Sequence, residues 1–321
     1  MLSFGENFFQ AEIREDFQVD VTMKTVWAAE LEVLSEIAKV CERHGLTWYM
    51  AFGSLLGTVR HQGFIPWDDD MDIWLIREDY MQLLTYLPKE LPKGYVVRSP
   101  MLESWYPEYH SCVVNSDSIS IAPEHLQKFH GCPFMVGIDV FPLDFLEEDE
   151  ENSLRMNLCR MARQAALMIK SREINADLAE MLDILERQRD VTIDRNGLSE
   201  TASEDERNEL SAGLWGLANE IVMGDGGKKG NESGRLAMYL DYLKYNKFYQ
   251  ASWFENVEMM PFEGFSVPVP GGYDRILRST YGDYSVCIKN TTLHDYPFYK
   301  KQLEQLRQYV AEVESARKRE Q

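Results

Sequence analysis

Within the first seventy-five residues, the apolar positions follow the period of a helix in one stretch and the period of a strand in another. Over residues 23–44 the apolar positions recur every three or four residues, which predicts an amphipathic helix, and Gly45 supplies its C-terminal cap. Residues 46–52 are apolar and aromatic, so we predict a strand there. Gly53 and Ser54 follow directly and are expected to open a short helix that runs through Arg60.

Two later segments have the period of a strand. The odd-numbered positions from 71 to 75 are apolar, so Asp70 and Asp72 project from one face, with Cα atoms roughly 6–7 Å apart. Residues 136–141 alternate in the same way around Asp139. Aspartate on an apolar strand is costly unless a cation or a hydrogen-bond donor compensates it. A structural role for Asp139 stays open at this point.

The rest of the chain divides into further elements. We expect a helix over residues 77–87 that Pro88 ends, and strands over residues 95–98 and 110–114. A long helical region begins near residue 154 and runs with breaks to about residue 250. Its glycine-rich stretch at residues 224–230 is interpreted as a flexible surface loop. Residues 251–299 are predicted to form short strands and turns that close over the active site.

The aspartates and the Gly-Ser turn indicate phosphate chemistry. Asp70 and Asp72 on one rigid strand are suited to hold a hard divalent cation that also binds phosphate oxygens. Backbone N–H groups of Gly53 and Ser54, at a helix N-terminus, can face an anion. An EF-hand over residues 68–79 is excluded because Ile73 stands where that loop needs glycine.

Three carboxylates remain open to other interpretations. Asp68 and Asp69 could form only a solvated acidic turn or a helix cap, since runs of acidic residues usually do so. Asp144 could cap a turn after Pro142.

A strand that ends in Gly-Ser, then Asp-x-Asp, then a lone aspartate on a later strand resembles the nucleotidyltransferase-like folds. The resemblance is closer to one family, the LicD phosphorylcholine transferases, which are relatives of fukutin. Its main motif is residues 53–73, which contain IPWDDDMDI at 65–73. Supporting segments are residues 77–80 (REDY), 137–144 (GIDVFPLD), 262–264 (FEG), 267–270 (VPVP) and 281–284 (YGDY).

The resemblance implies an α/β (α+β) fold, in which a nucleotidyltransferase-like mixed sheet carries a large helical insertion. Residues 1–145 would hold the N-terminal helix and the catalytic core. Residues 146–250 would form a helical subdomain. Residues 251–321 would complete the catalytic domain with strands, turns and a final helix.

The resemblance also implies roles for individual residues. Asp70, Asp72 and Asp139 would bind Mg²⁺ or Mn²⁺ over the donor's phosphates, and Asp139 could instead take the proton from the attacking hydroxyl. The other residues expected to contact the donor are Gly53, Ser54, Arg60, His61 and Trp67.

By the same resemblance the donor is CDP-choline and the acceptor is a sugar hydroxyl of a cell-surface glycopolymer or its lipid-linked precursor, with release of CMP. The alternatives are another CDP-linked alcohol (ribitol, glycerol or ethanolamine), a nucleotidyltransferase that releases pyrophosphate, and a non-catalytic scaffold. Choline has no N–H to donate, so aromatic faces would recognise it. Aromatic residues near the motif are Trp48, Tyr49, Trp67, Trp105, Tyr106 and Tyr109.

Composition limits the classes of partner and the location that we expect for the protein. The 321 residues are 45% hydrophobic and carry a formal charge of −20, which argues against a nucleic-acid partner. The five cysteines are scattered and form no C-x₂-C pair, so we expect neither a disulfide framework nor a zinc site. No signal-peptide pattern and no 18-residue apolar stretch is present. The expected location is the cytoplasm, or a peripheral position at the inner face of the membrane.

Overall fold

A sheet of short strands forms the centre of the fold. The computed structural model describes residues 1–103, 106, 108–149, 153–223, 234–289 and 296–319. Its strands are β1 (Glu12–Arg14), β2 (Phe17–Val19), β3 (Trp48–Met50), β4 (Met71–Ile76), β5 (Val96–Arg98), β6 (Ser111–Val114), β7 (Gly137–Phe145), β8 (Arg235–Ala237), β9 (Tyr249–Gln250), β10 (Val257–Phe262) and β11 (Phe265–Pro270).

Ten α-helices accompany these strands in the described part of the chain. They are α1 (Val21–His44), α2 (Phe52–His61), α3 (Arg77–Glu90), α4 (Pro123–Lys128), α5 (Leu154–Lys170), α6 (Ala176–Arg189), α7 (Glu204–Met223), α8 (Tyr239–Tyr245), α9 (Tyr273–Tyr281) and α10 (Lys300–Arg319). None of these described helices combines the length and apolarity needed to cross a bilayer.

The sheet is mixed, as predicted. Its main strand order is β3-β4-β7-β6-β5, with β8 added to β7 and β9 to β8. Strands β4 and β7 are parallel, and the other neighbours in this sheet are antiparallel. The α/β fold class expected from the sequence is therefore confirmed.

The two faces of the sheet have different roles. The apolar face of β4 is at most 1% exposed, and α1 and α3 pack against the β4–β7 pair. Burial of this face specifies the register, because a shift of one residue would bring the aspartates to the core side. Asp72 and Asp139 project from the opposite face and are only half-buried.

The predicted helix boundaries need two corrections. The region from residue 154 to about residue 250, predicted as helical with breaks, also contains the short strands β8 and β9, which extend the central sheet. Gly45 ends α1 in the left-handed conformation (φ 65°), as expected, and Asp20 caps its start by accepting the Met23 N–H at 2.8 Å. Pro88 does not end α3, which continues to Glu90. Near a C-terminus proline removes only one hydrogen bond, and the Leu91 N–H still donates to the Leu87 carbonyl at 3.1 Å.

The segment after residue 250 also differs in part from expectation. Strands β10 and β11 pair as an antiparallel hairpin, as predicted. The turns that should follow include a helix, α9, which buries Ile276 and Leu277 on one face. Two apolar residues are too short a pattern to identify a helix from sequence. The glycine-rich stretch at 224–230 lies outside the described residues.

The buried apolar residues of the described part of the chain form two clusters. One contains the sheet, α1, α3, α9 and the β10–β11 hairpin. The other contains α5 to α8. A buried ion pair lies between them: Arg77, the first residue of α3, donates to both carboxylate oxygens of Asp144 at 2.7 and 2.8 Å. Arg77 also donates to the side chain of Asn219 on α7 at 3.2 Å.

This arrangement corrects one prediction. Asp144 does not cap a turn after Pro142, because β7 continues through both residues to Phe145. Strand geometry sets the Asp144 side chain on the face opposite to Asp139, and Arg77 compensates its charge there.

We expect this ion pair to be essential for stability. Asp144→Ala leaves the buried guanidinium without its carboxylate, so the free energy of unfolding should fall by about 3–5 kcal/mol. Asp183→Ala removes one carboxylate from the exposed ion-pair group around Arg195 and should cost less than about 1 kcal/mol. Urea unfolding followed by circular dichroism measures both.

The double variant Arg77→Met/Asp144→Leu should regain most of the loss, because an apolar pair of similar volume removes both buried charges. A loss for Asp144→Ala no larger than that of the exposed control would contradict this assignment.

Candidate active site

A row of polar side chains crosses the open face of the sheet. Asp72 on β4 stands directly opposite Asp139 on β7, and Asp139 stands opposite Cys112 on β6. Neighbouring strands are about 4.8 Å apart, so these three side chains are immediate neighbours. Asp70 immediately precedes β4 and is exposed, and its negative charge contributes to raising the pKa of Asp72. The structure therefore brings the three predicted carboxylates to one region.

The start of helix α2 is attached to the same strand. The Ala51 N–H donates to the Asp72 carbonyl at 2.9 Å, and the Asp72 N–H donates to the Ser54 hydroxyl oxygen at 2.9 Å. Ser54 is buried and holds β4 against the helix N-terminus. Its hydroxyl proton is not used in that bond and can be donated to an anion. Gly53 and Ser54 thus lie beside the aspartates, as predicted.

Phe52 adopts an uncommon backbone conformation at this junction. Its φ is 41°, which is sterically unfavourable for a residue with a side chain. The ring packs edge-on against Trp74 and Phe141, at centroid distances of 4.9 and 5.3 Å. This packing holds the strained turn in place at the start of α2.

Asp68 and Asp69 are not a solvated turn. Asp69 is fully buried and accepts the Phe298 N–H at 2.6 Å, so it attaches a C-terminal segment to the motif. Asp68 is half-buried and lies over Gly53, where an added Cβ atom would stand only 2.6 Å from its carboxylate oxygen. A side chain at position 53 would therefore displace the Asp68 carboxylate.

The carboxylates repel one another. Burial and then the charge of Asp70 raise the pKa of Asp68 well above its usual value. Burial, followed by the charges of Asp70, Asp139 and Asp68, raises the pKa of Asp72 in the same way. Glu30 on α1 is fully buried behind this group, and burial together with the aspartate charges raises its pKa as well. The region is poised to bind positive charge.

Asp139 behaves differently from its neighbours. Burial raises its pKa, but hydrogen bonds from His110 and Cys112 and the His110 charge outweigh burial, and the net pKa is lowered. A carboxylate with a lowered pKa remains ionised and is a weak base. Asp139 as a metal ligand and Asp139 as the proton acceptor both stay predictions.

The remaining predicted donor contacts lie further along α2. Helix rise places Arg60 about 10 Å from Gly53, although the two belong to one motif. Arg60 donates to the Tyr284 carbonyl at 3.2 Å, and His61 lies 3.4 Å from Glu15. Trp67 is buried against Phe17 and 6.5 Å from the His61 ring. Donor contact by Arg60, His61 and Trp67 stays a prediction, and it requires a donor that extends along α2.

The structure shows where five of the six candidate aromatic residues lie. Tyr49 is buried and donates its hydroxyl to the Phe254 carbonyl at 2.7 Å. Trp48 pairs with Leu75 and so faces away from Asp72. Trp67 and Tyr106 are buried, and Trp105 lies outside the described residues.

Aromatic groups that border the carboxylates are Tyr109 and Tyr281. Tyr109 is half-buried; burial and then nearby charges, including those of Asp139 and Asp72, raise the pKa of its hydroxyl. Tyr281, at the end of α9, is 41% exposed. Desolvation and then nearby charges, including those of Asp68, Asp70 and Asp72, raise the pKa of its hydroxyl.

The donor set fits a metal that is shared with a substrate. Among the described residues, no group of three or more His, Cys, Asp or Glu side chains is arranged to hold a metal ion alone. Mg²⁺ at phosphoryl-transfer sites is usually held by one or two carboxylates and by substrate phosphates, with waters filling the remaining positions. Asp70 and Asp72, whose mutual repulsion a cation would relieve, suit that mode.

Sequence reasoning missed Glu30, His110, Phe52 and Tyr281. Glu30 sits on an amphipathic helix whose periodicity marks its position only as core-facing or solvent-facing. His110 and Tyr281 are distant in sequence from the aspartates, and only strand pairing and the position of α9 bring them near. Tyr281 lies in a family-like segment, which was the one available signal.

The raised pKa of Asp72 predicts a pH-dependent cost to stability. A raised folded-state pKa means that the folded protein binds the proton more tightly, so stability falls as pH rises from the unfolded value of about 3.9 through the folded value. In EDTA at pH 7, Asp72→Asn should therefore melt at a higher temperature than the wild type. The difference should shrink as pH approaches about 4.

Thermal melts between pH 4 and 8 measure this effect, and Asp177→Asn, at an exposed position of α6, should show no such trend. A variant that melts no higher than the wild type at pH 7 would show that Asp72 is not destabilised by its neighbours.

The region around the aspartates is similar to a known protein family. Residues 45–134 match the family model described as LicD/FKTN/FKRP, nucleotidyltransferase domain. The family expected from the motifs is thereby confirmed for this part of the chain. The match includes α2, the aspartates at 68–72, His110 and Cys112, and it ends five residues before Asp139.

Three curated relatives match over limited lengths. The lipopolysaccharide cholinephosphotransferase LicD of Haemophilus influenzae is 35% identical over 65 residues, which is 20% of this chain and 24% of that protein. Uncharacterized proteins of Rickettsia prowazekii and Rickettsia typhi are 30% and 29% identical over 119 residues, which is 37% of this chain. The chain spans 42% and 35% of their lengths, so it covers less than half of each relative.

Proposed function

We propose that this chain, whose residues 45–134 match the LicD/FKTN/FKRP nucleotidyltransferase domain model, transfers phosphocholine from CDP-choline to a sugar hydroxyl and releases CMP. The observation that supports the proposal is the row of carboxylates beside the N-terminus of α2. The carboxylates would bind a metal, and the N–H groups of the helix would bind phosphate. The acceptor would be a cell-surface glycopolymer or its lipid-linked precursor, and the reaction would take place in the cytoplasm or at the inner face of the membrane.

The donor's pyrophosphate would lie between α2 and β4. Backbone N–H groups at the start of α2 and the Ser54 hydroxyl would bind its oxygens, aided by the helix dipole. The Gly53 position lacks a side chain, so phosphate and the Asp68 carboxylate can both approach the backbone closely. Arg60 and His61, further along α2, would neutralise the nucleotide side of the donor.

Asp70, Asp72 and Asp139 would hold Mg²⁺ or Mn²⁺, which supplies positive charge to the phosphate oxygens as the P–O bond breaks. The acceptor oxygen forms a bond to the phosphorus that carries choline, and the bond from that phosphorus to the CMP oxygen breaks. The acceptor proton leaves to solvent or to a carboxylate. Phosphoryl-transfer transition states are loose, so early proton removal is not required, which agrees with the lowered pKa of Asp139.

Choline recognition would rest on rings that face the carboxylates. Tyr109 and Tyr281 offer aromatic faces at the edge of the site, where a quaternary ammonium gains from cation–π contact and from nearby negative charge. A polyol such as ribitol would instead need several hydrogen-bond partners.

The metal ligands give the first test of this function. Asp70→Asn and Asp72→Asn should each lower CMP release from CDP-choline by at least ~10²-fold with folding intact, because charge stabilisation by the metal supplies several kcal/mol. EDTA should have the same effect on the wild type, and Mg²⁺ or Mn²⁺ should reverse it. The exposed Asp177→Asn variant is the matched control. Full activity of Asp72→Asn in EDTA would refute the mechanism.

The products distinguish the alternative functions. Incubation with CDP-choline and a set of sugar glycosides should give CMP and a phosphocholine-bearing sugar, detected by chromatography and ³¹P NMR. Pyrophosphate from CTP would instead indicate a nucleotidyltransferase. No turnover of any CDP-alcohol or nucleotide would support a non-catalytic scaffold.

Donor preference tests the choice of alcohol. Titration calorimetry with Mg²⁺ should rank CDP-choline above CDP-ethanolamine, and both above CDP-glycerol and CDP-ribitol, because an aromatic wall offers polyols no hydrogen-bond partners. Tyr281→Leu should reduce the preference for CDP-choline over CDP-glycerol, whereas Tyr245→Leu, at an exposed position of α8, should not. A clear preference for CDP-ribitol would overturn the choline assignment and leave the metal site unaffected.

A further inference from the structure

We infer that His110 is a positioning residue of the metal site: its Nε2–H donates to Asp139 and fixes that carboxylate for coordination. This inference rests on the proposed function only in taking Asp139 as a metal ligand. His110 belongs to none of the sequence motifs described above; it immediately precedes β6 and lies 29 positions from Asp139 in the sequence.

The geometry of the His110 ring carries the inference. Its Nε2 atom lies 3.3 Å from the Asp139 Oδ2 atom, within reach of a hydrogen bond. The ring stacks on Phe141 at a centroid distance of 4.5 Å and an interplanar angle of 30°. Tyr109 contacts it edge-on at 5.3 Å. Because two aromatic rings fix its plane, the nitrogen is held towards the carboxylate rather than free to rotate.

The other ring nitrogen makes no competing bond in the described part of the chain. His110 Nδ1 is buried there without a hydrogen-bond partner. The contact with Asp139 is therefore the polar interaction that orients the ring, and it requires a proton on Nε2. A histidine placed only for packing gains nothing from a buried, unpaired nitrogen, and phenylalanine would fill the same space without that cost.

Cys112 acts on the same carboxylate from the neighbouring strand. It faces Asp139 across the β6–β7 pair, so its thiol is an immediate neighbour of the carboxylate and can donate a hydrogen bond to it. The two donors occupy part of the acceptor capacity of Asp139, which has about four lone-pair sites, and leave the rest for a cation. Hydrogen bonds of this kind orient metal ligands, and their removal usually costs 10–100-fold in metal affinity or activity.

Three substitutions at His110 separate positioning from packing. His110→Gln keeps an N–H donor at the reach of Nε2, His110→Phe keeps the stacking without a donor, and His110→Asn places its amide at the reach of Nδ1 only. The affinity for Mn²⁺ is measured by electron paramagnetic resonance in the presence of CDP, whose phosphates can complete the coordination without any transfer reaction.

We expect His110→Phe and His110→Asn to weaken Mn²⁺ binding by about 10–100-fold, and His110→Gln to stay within about 3-fold of the wild type. In an Asp139→Asn background, His110→Phe should have no further effect, because its partner is already lost. Cys112→Ser should bind Mn²⁺ like the wild type, and Cys112→Ala should bind several-fold more weakly.

Three results would overturn the inference: wild-type affinity in His110→Phe, an equal loss in His110→Gln, or additive losses in the Asp139→Asn background. Absence of Mn²⁺ binding to the wild type with CDP would overturn it as well. Failure of CDP-choline turnover would count against the proposed function alone, because the Mn²⁺ measurement requires no reaction.

Discussion

The parallel pairing of β4 with β7 is the constraint on which the rest of the site depends. This pairing sets Asp72 opposite Asp139, and the antiparallel β6–β7 pair then adds Cys112 to the same row. A slip of one residue in either pair would turn a carboxylate into the apolar face that packs against α1 and α3. The buried apolar residues of β4 and β7 prevent that slip. Hydrophobic burial on one face of the sheet thus determines the electrostatics of the other.

The site is built at a cost in stability. Asp68, Asp72 and the buried Glu30 all have raised pKa values, because they are withdrawn from water beside like charges. The Phe52 turn adds backbone strain at the same place. Such unfavourable terms are typical of sites that must bind a cation and phosphates. The large apolar core and the Asp69 contact with the C-terminal segment hold the arrangement together.

Strand β7 also joins this site to the helical cluster. Its residues alternate in direction, so Asp139 faces the candidate site while Asp144 faces the buried Arg77. Arg77 begins α3 directly after β4 and reaches Asn219 on α7. One ion pair therefore links the two strands that carry the aspartates to the helices after residue 153.

The sequence by itself determined the elements and the residue types of the site. Alternation at 71–75 and 136–141 predicted β4 and β7, and the Gly-Ser turn predicted α2, because these signals depend only on local periodicity. Tertiary structure decided what lies beside them. His110, Glu30 and Tyr281 come from distant segments, Asp69 and Asp144 became buried partners of groups far along the chain, and helix rise separated Arg60 from Gly53. Strand register and side-chain packing set those neighbours, and neither leaves a period in the sequence.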